Sequence, residues 1–213
     1  MNSNFRTSID HLVIVSPTLE TGVRYVYETL QVRMQKGGIH TKMGTHNALL
    51  KLGKTTYLEV IAVNPLLPKP VGARWFALDT LSISANPKLL TWVACTDDIK
   101  GATENSSIPF GTIQTMTRGA LNWLITIPSG GGLPCDGIAP SLIQWNSKIH
   151  PASQLPEEGC SLLRMEGFHP DAEIINTTLQ SIGFEGDFSV DPSENSSLVA
   201  YIQTPHGVRR FGG

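Results

Sequence analysis

The feature that most constrains the fold is an order of elements that recurs along the chain. The segment SIDHLVIV is a short apolar strand. Leu19, Val23, Val26 and Leu30 follow at spacings of four, three and four residues, which is one apolar face of a helix. HNALLKL and TTYLEVIAV then have the composition of strands, so the first part of the chain predicts a β-α-β-β-β unit.

The same order is predicted twice more. LLTWVACTDDI opens a second unit, and CSLLRMEGFHP opens a third with a helix after Asp171. A short pattern of two apolar or aromatic residues and then Glu or Gln comes late in each unit, at 57–59, 142–144 and 201–203. We therefore predict an α+β fold of repeated units at 1–65, 89–150 and 151–213, with a connecting segment at 66–88.

Composition excludes several classes of function. The formal net charge is −2 and no basic run occurs, which argues against nucleic-acid and membrane-surface binding. No apolar run approaches the roughly 20 residues of a membrane span, so a cytoplasmic protein is expected. The three cysteines are widely spaced without a C-x-x-C motif, which argues against a disulfide framework or a cysteine-rich zinc site.

His11 and Glu59 are ionisable residues within apolar strands. By alternation, His11 shares a face with Ile9, Val13 and Val15, and Asp10 faces the other way. Burial of an unpaired carboxylate is costly, so Glu59 requires a partner. Imidazole and carboxylate together are common ligands of Zn, Fe, Mn or Ni. The alternatives are a core histidine bonded to the backbone, and a Glu59 in a salt bridge or at an exposed strand edge.

The stretch GGIHTKMGTHNALL, from Gly37 to Leu50, places polar residues and glycines before an apolar strand. Glycines can shape a tight loop. His40 and His46 are six residues apart, so they do not form a helical pair of ligands. One interpretation is a loop over the His11/Glu59 site, with His40 and Asn47 facing the cavity and His46 facing away. The other is a loop with solvent-exposed histidines.

These residues resemble the glyoxalase-like domain of the vicinal oxygen chelate superfamily over about the first 65 positions. The matching segments are Asp10-His11-Leu12-Val13, Gly37-Gly38-x-His40, Gly44-Thr45-x-Asn47-x-Leu49 and Tyr57-Leu58-Glu59. A looser likeness continues through Arg74-Trp75, Gln144-Trp145 and Thr204-Pro205-x-Gly207-Val208. The resemblance implies paired modules that form curved, cup-like mixed sheets, with first and fourth strands adjacent. It also implies that His11 and Glu59 are metal ligands.

The second unit departs from this pattern, because Trp92 and Gln144 lie where further ligands would be. Tryptophan cannot bind a metal ion, so Gln144, Gln203, His40, water or substrate would have to complete the shell. The resemblance implies Glu59 as ligand or general base and His40 as a proton shuttle or a substrate contact. The residues expected to contact substrate are Asn47, Arg74, Trp92, Gln144 and Trp145.

The resemblance implies an enzyme with a divalent ion (Zn, Mn, Fe or Ni) and lyase, isomerase or dioxygenase-type chemistry. Its partner would be a small oxygen-bearing substrate, and a homodimer is expected. The alternative is a metal-free protein that binds or sequesters small molecules, with Trp75, Trp92, Trp123 and Trp145 either lining the pocket or packing in the core. Whether units one and two or one and three form the cup is left open.

Overall fold

The computed structural model describes residues 5–147 and 149–213, so residues 1–4 and 148 of the predicted units lie outside it. Its α-helices are α1 (Leu19–Leu30), α2 (Ile99–Asn105) and α3 (Ala172–Ser181). Its strands are β1 (Thr7–Val15), β2 (Gln35–His40), β3 (Thr45–Lys51), β4 (Tyr57–Val63), β5 (Lys88–Thr96), β6 (Thr112–Arg118), β7 (Leu121–Ile127), β8 (Ser141–Trp145), β9 (Ser161–His169), β10 (Phe184–Glu185), β11 (Phe188–Pro192), β12 (Ser197–Thr204) and β13 (Gly207–Gly212). The predicted order of elements is present in the first two units.

The first two units form one mixed sheet with the strand order β2-β3-β4-β1-β5-β8-β7-β6. Within each unit the first strand lies parallel to the fourth, β1 with β4 and β5 with β8. The two first strands, β1 and β5, pair antiparallel and join the units at the centre of the sheet. Units one and two therefore form the cup.

The third unit forms a separate sheet with the order β11-β9-β12-β13. Its first strand β9 lies between β11, which is parallel to it, and β12, which is antiparallel. Its last strand β13 pairs with β12 and not with β9. The short strand β10 instead joins the main sheet beside β1. The third unit thus has one more strand than the predicted β-α-β-β-β order, and its strands pair differently from those of the first two units.

The two faces of the main sheet are buried in different ways, because successive side chains of a strand point to opposite sides. One face carries Leu12, Ile14 and Trp92, which pack against the helices and the third unit in the larger core. The other face carries Val13 and Val93 in a smaller cluster that surrounds a cavity. No helix among residues 5–147 and 149–213 is long and apolar enough to cross a membrane.

Phe211 provides a test of how the third unit is attached. It is 1% exposed and lies in the larger core, with its ring centroid 5.5 Å from that of Tyr25 in α1. Phe211→Ala is expected to lower the free energy of unfolding by about 3–5 kcal/mol, because it leaves a cavity between the third unit and α1. Urea denaturation measures this change. Val208→Ala, at a half-exposed position of the same strand, is the control and should change it by less than about 0.5 kcal/mol.

Candidate functional site

An irregularity in β1 turns two consecutive residues towards the cup. The pairing of β1 with β5 passes from Ile9 opposite Ala94 to His11 opposite Val93, so Asp10 is an extra residue in the strand. Ile9 packs against the larger core, whereas His11 lines the cavity. Strict alternation predicted that Ile9 would share the face of His11 and that Asp10 would face away from it. That prediction was wrong, because the bulge breaks the alternation at this position.

The Asp10 carboxylate is fully buried and accepts three hydrogen bonds. Its Oδ1 is 2.6 Å from His11 Nδ1, and its Oδ2 is 2.7 Å from Trp145 Nε1 and 2.9 Å from His150 Nε2. Burial alone would raise the pKa of Asp10, but the bonds with His11 and His150 outweigh it and lower the pKa to about 2. An ionised Asp10 selects the His11 tautomer that carries hydrogen on Nδ1. His11 Nε2 is then left as an acceptor facing the cup.

Glu59 lies opposite His11 in the cavity and is 4% exposed. Its Oε2 is 3.6 Å from His11 Nε2, and its Oε1 accepts a hydrogen bond of 2.5 Å from Asn47 Nδ2. Asn47 Oδ1 in turn accepts from the Gly38 N–H at 2.7 Å. The structure therefore brings together His11, Glu59 and Asn47. The amide of Asn47 is oriented by its two neighbours, and it leaves one oxygen of Glu59 free.

His40 is buried at the edge of the cup and binds Arg118. Arg118 Nη1 lies 3.1 Å from His40 Nε2, and the other ring nitrogen, Nδ1, lies 3.1 Å from Thr45 Oγ1. Burial and the positive charge of Arg118 lower the pKa of His40 to about 3. His40 is then a neutral imidazole that accepts from Arg118 and donates to Thr45. These contacts hold Arg118 in place, and the predicted role of His40 as proton shuttle or substrate contact stays a prediction.

Arg118 is a site residue that sequence reasoning missed. It ends β6 and reaches across the cup to module one, where Nη1 also donates to Asn47 Oδ1 at 3.3 Å. The available signal was a cation at the end of GTIQTMTR, two residues after the buried Met116 and therefore on the same face. That signal is weak, because many strands end in an exposed cation.

Gly37 and Gly38 are explained by the same contacts. They lie in β2, a strand and not the predicted loop, and neither has a positive φ. A Cβ at Gly37 would overlap Asn47 Oδ1, and a Cβ at Gly38 would come within 2.5 Å of Arg118 Cδ. The two glycines are thus required because Asn47 and Arg118 pack directly on the backbone of β2. His46 lies on the opposite face of β3, as expected, outside the cup lining.

Aromatic and aliphatic side chains form the rest of the wall, around an empty volume of about 360 Å³ that includes the open mouth. Tyr57 stacks on His11 with ring centroids 4.5 Å apart, and burial raises its pKa well above the usual range. The indole N–H of Trp75 is buried without an acceptor among the residues that the structure describes. The lining side chains from module two are Arg118, Trp123, Ile125, Ile143 and Trp145.

Four predicted contact or ligand residues lie elsewhere. Trp92 is on the other face of β5, where its Nε1 donates to the Ile138 carbonyl at 2.9 Å. Gln144 alternates away from Ile143 and Trp145 and accepts from the Ile99 N–H at 2.9 Å. The other two are Arg74, whose Nη1 donates to Asp79 Oδ1 at 2.6 Å in the connecting segment, and Gln203, which lies in the second sheet. These expectations are corrected, because each side chain is directed away from the cup.

Comparison with known proteins agrees with this architecture. A family model described as a glyoxalase-like domain matches residues 9–183, which is most of the chain. The chain belongs to the glyoxalase-like family. It therefore has the α+β fold of the vicinal oxygen chelate superfamily, with two modules in a curved mixed sheet. No curated protein matches the sequence significantly.

Solved structures show similarity at the level of fold. A hypothetical protein from Staphylococcus aureus has a TM-score of 0.60 at 14% identity, covering 89% of this chain and 87% of that one. A methylmalonyl-CoA epimerase bound to methylmalonyl-CoA and NH4+ has a TM-score of 0.46 at 15% identity. The match covers 68% of this chain and 99% of that one. A Streptomyces coelicolor methylmalonyl-CoA epimerase has a TM-score of 0.44 at 14% identity. The match covers 65% of this chain and 97% of that one. At 14% identity the likeness to the Staphylococcus aureus protein shows the fold alone, and a fold does not specify chemistry.

Members of the superfamily often use divalent metals, and the cup contains part of a donor set for such an ion. His11 Nε2 and Glu59 Oε2 converge, and Asp10 and Asn47 hold them from behind by hydrogen bonds, as is common for the ligands of metal sites. A catalytic zinc site usually has three protein ligands. The described residues contain no cluster of three His, Cys, Asp or Glu that could hold an ion. The donor set in this glyoxalase-like cup is therefore one ligand short.

The pKa of His40 predicts a pH dependence of stability. Unfolded His40 takes up a proton near pH 6.5, whereas folded His40 does so only near pH 3. Between these values the unfolded state binds more protons, so the free energy of unfolding is expected to fall as the pH is lowered. His40→Gln should flatten this fall by up to about 1.4 kcal/mol per pH unit, measured by urea denaturation between about pH 7 and pH 4.

His206→Gln is the control for this experiment, because His206 lies exposed in the β12–β13 turn. Its stability profile should run parallel to that of the wild type. Equal slopes for wild type and His40→Gln would show that His40 is not held neutral in the folded protein.

Proposed function

We propose that this protein is an enzyme that transfers a proton to and from a small, anionic, oxygen-bearing organic substrate. The observation that carries the proposal is the 2.6 Å contact between the buried Asp10 carboxylate and His11 Nδ1, which leaves His11 Nε2 facing the cup. A histidine oriented by a buried carboxylate is a common arrangement for general acid–base catalysis. Glu59 provides a second acid–base group only 3.6 Å from that nitrogen.

Each side chain has a distinct task in this mechanism. His11 Nε2 removes a proton from carbon next to a carbonyl or carboxyl group, and the imidazolium that forms is stabilised by Asp10. The imidazolium returns that proton to the carbon, either directly from Nε2 or by transfer through Glu59 Oε2, which lies 3.6 Å from the same nitrogen. Arg118 stabilises the negative charge that develops on the substrate oxygen. If a divalent cation were bound, His11 and Glu59 would be its two ligands from the protein, and the cation would stabilise the negative charge on the substrate oxygen.

The apolar wall supports a small organic ligand over an inorganic one. Trp75, Trp123 and Trp145 enclose the His11 and Glu59 side chains, and a largely apolar cavity with a few convergent polar groups is typical of small-molecule sites. Exclusion of water by these rings also strengthens the interaction of Arg118 with an oxyanion. A metal-free protein that sequesters an aromatic compound would bind it against the same apolar wall. Such a protein would not require a histidine oriented by a buried carboxylate.

Exchange of the substrate α-hydrogen for deuterium tests the proposal. The measurement does not require the reaction product to be known. The protein is incubated in D2O with short 2-oxo acids, 2-hydroxy aldehydes and acyl thioesters, and loss of the α-hydrogen signal is followed by proton NMR. At least one class should exchange, and His11→Gln should slow that exchange about a hundredfold or more. His46→Gln is the matched control, a histidine of the same module outside the cup, and should exchange at the wild-type rate. Equal rates for wild type and His11→Gln would exclude His11 as the base.

Chelation separates this mechanism from the metal-dependent one implied by the superfamily. Exchange by the wild type should continue after treatment with EDTA, because the proposed base is an imidazole held by Asp10. If EDTA abolishes exchange and Mn or Zn restores it in the wild type but not in Glu59→Gln, then His11 and Glu59 are metal ligands and the base lies elsewhere.

A further inference from the structure

A groove adjoins the mouth of the cup on its outer side. It runs between the strand pair β2–β3 of the first module, the β6–β7 turn and residues 151–155, with an empty volume of about 1360 Å³ that includes open solvent. Its apolar wall includes Leu49, Leu121, Pro151 and Leu155. Leu49 and Leu155 also pack with Tyr57, which lines the cup. The groove and the cup are therefore neighbouring spaces with a shared partition.

Arg118 lines both spaces. Its two hydrogen bonds within the described part of the chain come from Nη1, so Nε and Nη2 remain available to a ligand. It forms no ion pair with a carboxylate among the same residues. The side chain lies across the backbone of Gly38, which has no Cβ to displace it. Arg118 is therefore a partly buried guanidinium that contacts His40, and no carboxylate within residues 5–147 and 149–213 forms an ion pair with it.

The charged side chains that line the groove have one sign among the residues that the structure describes. The charged side chains of its wall are those of Lys36 and Arg118, both cationic, while the rest is apolar, small or uncharged. Such a surface complements a molecule with a negative group at one point and apolar atoms beyond it. Arg118 can bind a carboxylate with two parallel N–H donors, which gives orientation as well as affinity.

We propose that the substrate is an amphiphilic carboxylic acid, with its carboxylate on Arg118 and an apolar tail of several carbons along the groove. This inference rests on the proposed function, because the reacting end of the molecule lies in the cup beside His11. The cup alone encloses only about 360 Å³ with its mouth, whereas the groove is open along its length. The length of the tail consequently determines which acids bind, and the residues of the cup carry out the proton transfer.

The test is a binding series read by the fluorescence of the cup tryptophans. The probes are butanoate, hexanoate and octanoate, with octan-1-ol and octylamine as uncharged and cationic counterparts. Kd should fall by about threefold to fourfold for each methylene that becomes buried. Octan-1-ol should bind about tenfold more weakly than octanoate or worse, because it lacks the charge-assisted bond to Arg118. Octylamine should bind more weakly still.

Two variants test the carboxylate site and the apolar groove independently. Arg118→Met should abolish the preference for octanoate over octan-1-ol and keep the gain with chain length. Ala120→Glu changes an exposed residue of the groove wall and should abolish the gain with chain length. The control for the first is Lys42→Met, an exposed cation outside both spaces. The control for the second is Thr117→Glu, which adds the same charge to an exposed residue next to Arg118 but outside the groove lining.

The outcomes are distinct. Equal Kd values for butanoate and octanoate, equal binding of octanoate and octan-1-ol, or no binding of any acid would each overturn the proposal. A gain with chain length in a protein that shows no α-proton exchange would support the tail site and reject the acid–base function. Exchange of short acids without a gain in affinity for longer ones would keep the function and reject the tail site.

Discussion

The site depends on one buried carboxylate. Asp10 has no exposed surface, and its charge is stabilised by donors from three segments: His11 in β1, Trp145 at the end of β8 and His150 beyond it. A buried charge without such partners would cost several kcal/mol. The same bonds connect the two modules, since β1 and β8 belong to different units. The feature that orients His11 therefore also holds the two halves of the cup together.

A second chain of hydrogen bonds crosses the cup from the other side. It runs from Glu59 through Asn47 to Arg118, and from Arg118 to His40 and Thr45. All of its members except Arg118 come from the first module. The second module otherwise supplies aromatic and aliphatic side chains to the cavity. The two related units thus differ in what they contribute to the cup. The first supplies most of its polar side chains, and the second supplies its apolar wall and one cation, Arg118.

The third unit explains how a sheet with a polar cup on one face remains stable. It packs on the opposite face, where Leu198, Ile202 and Phe211 join the larger core with side chains of both modules. Most of the buried apolar area is therefore placed away from the site. The cup can consequently contain several polar groups, because most of the hydrophobic stabilisation comes from the larger core on the other face.

The sequence by itself determined the local features. Periodicity indicated the strands and the first helix, and an ionisable residue inside an apolar strand identified His11 and Glu59, because burial of such a group requires a partner. Only the tertiary structure decided which groups meet. The bulge at Asp10 depends on the pairing of β1 with β5. Arg118 approaches His40 from 78 residues away. Trp92 and Gln144 face the other core because their strands meet the sheet in a particular register, which a local pattern does not specify.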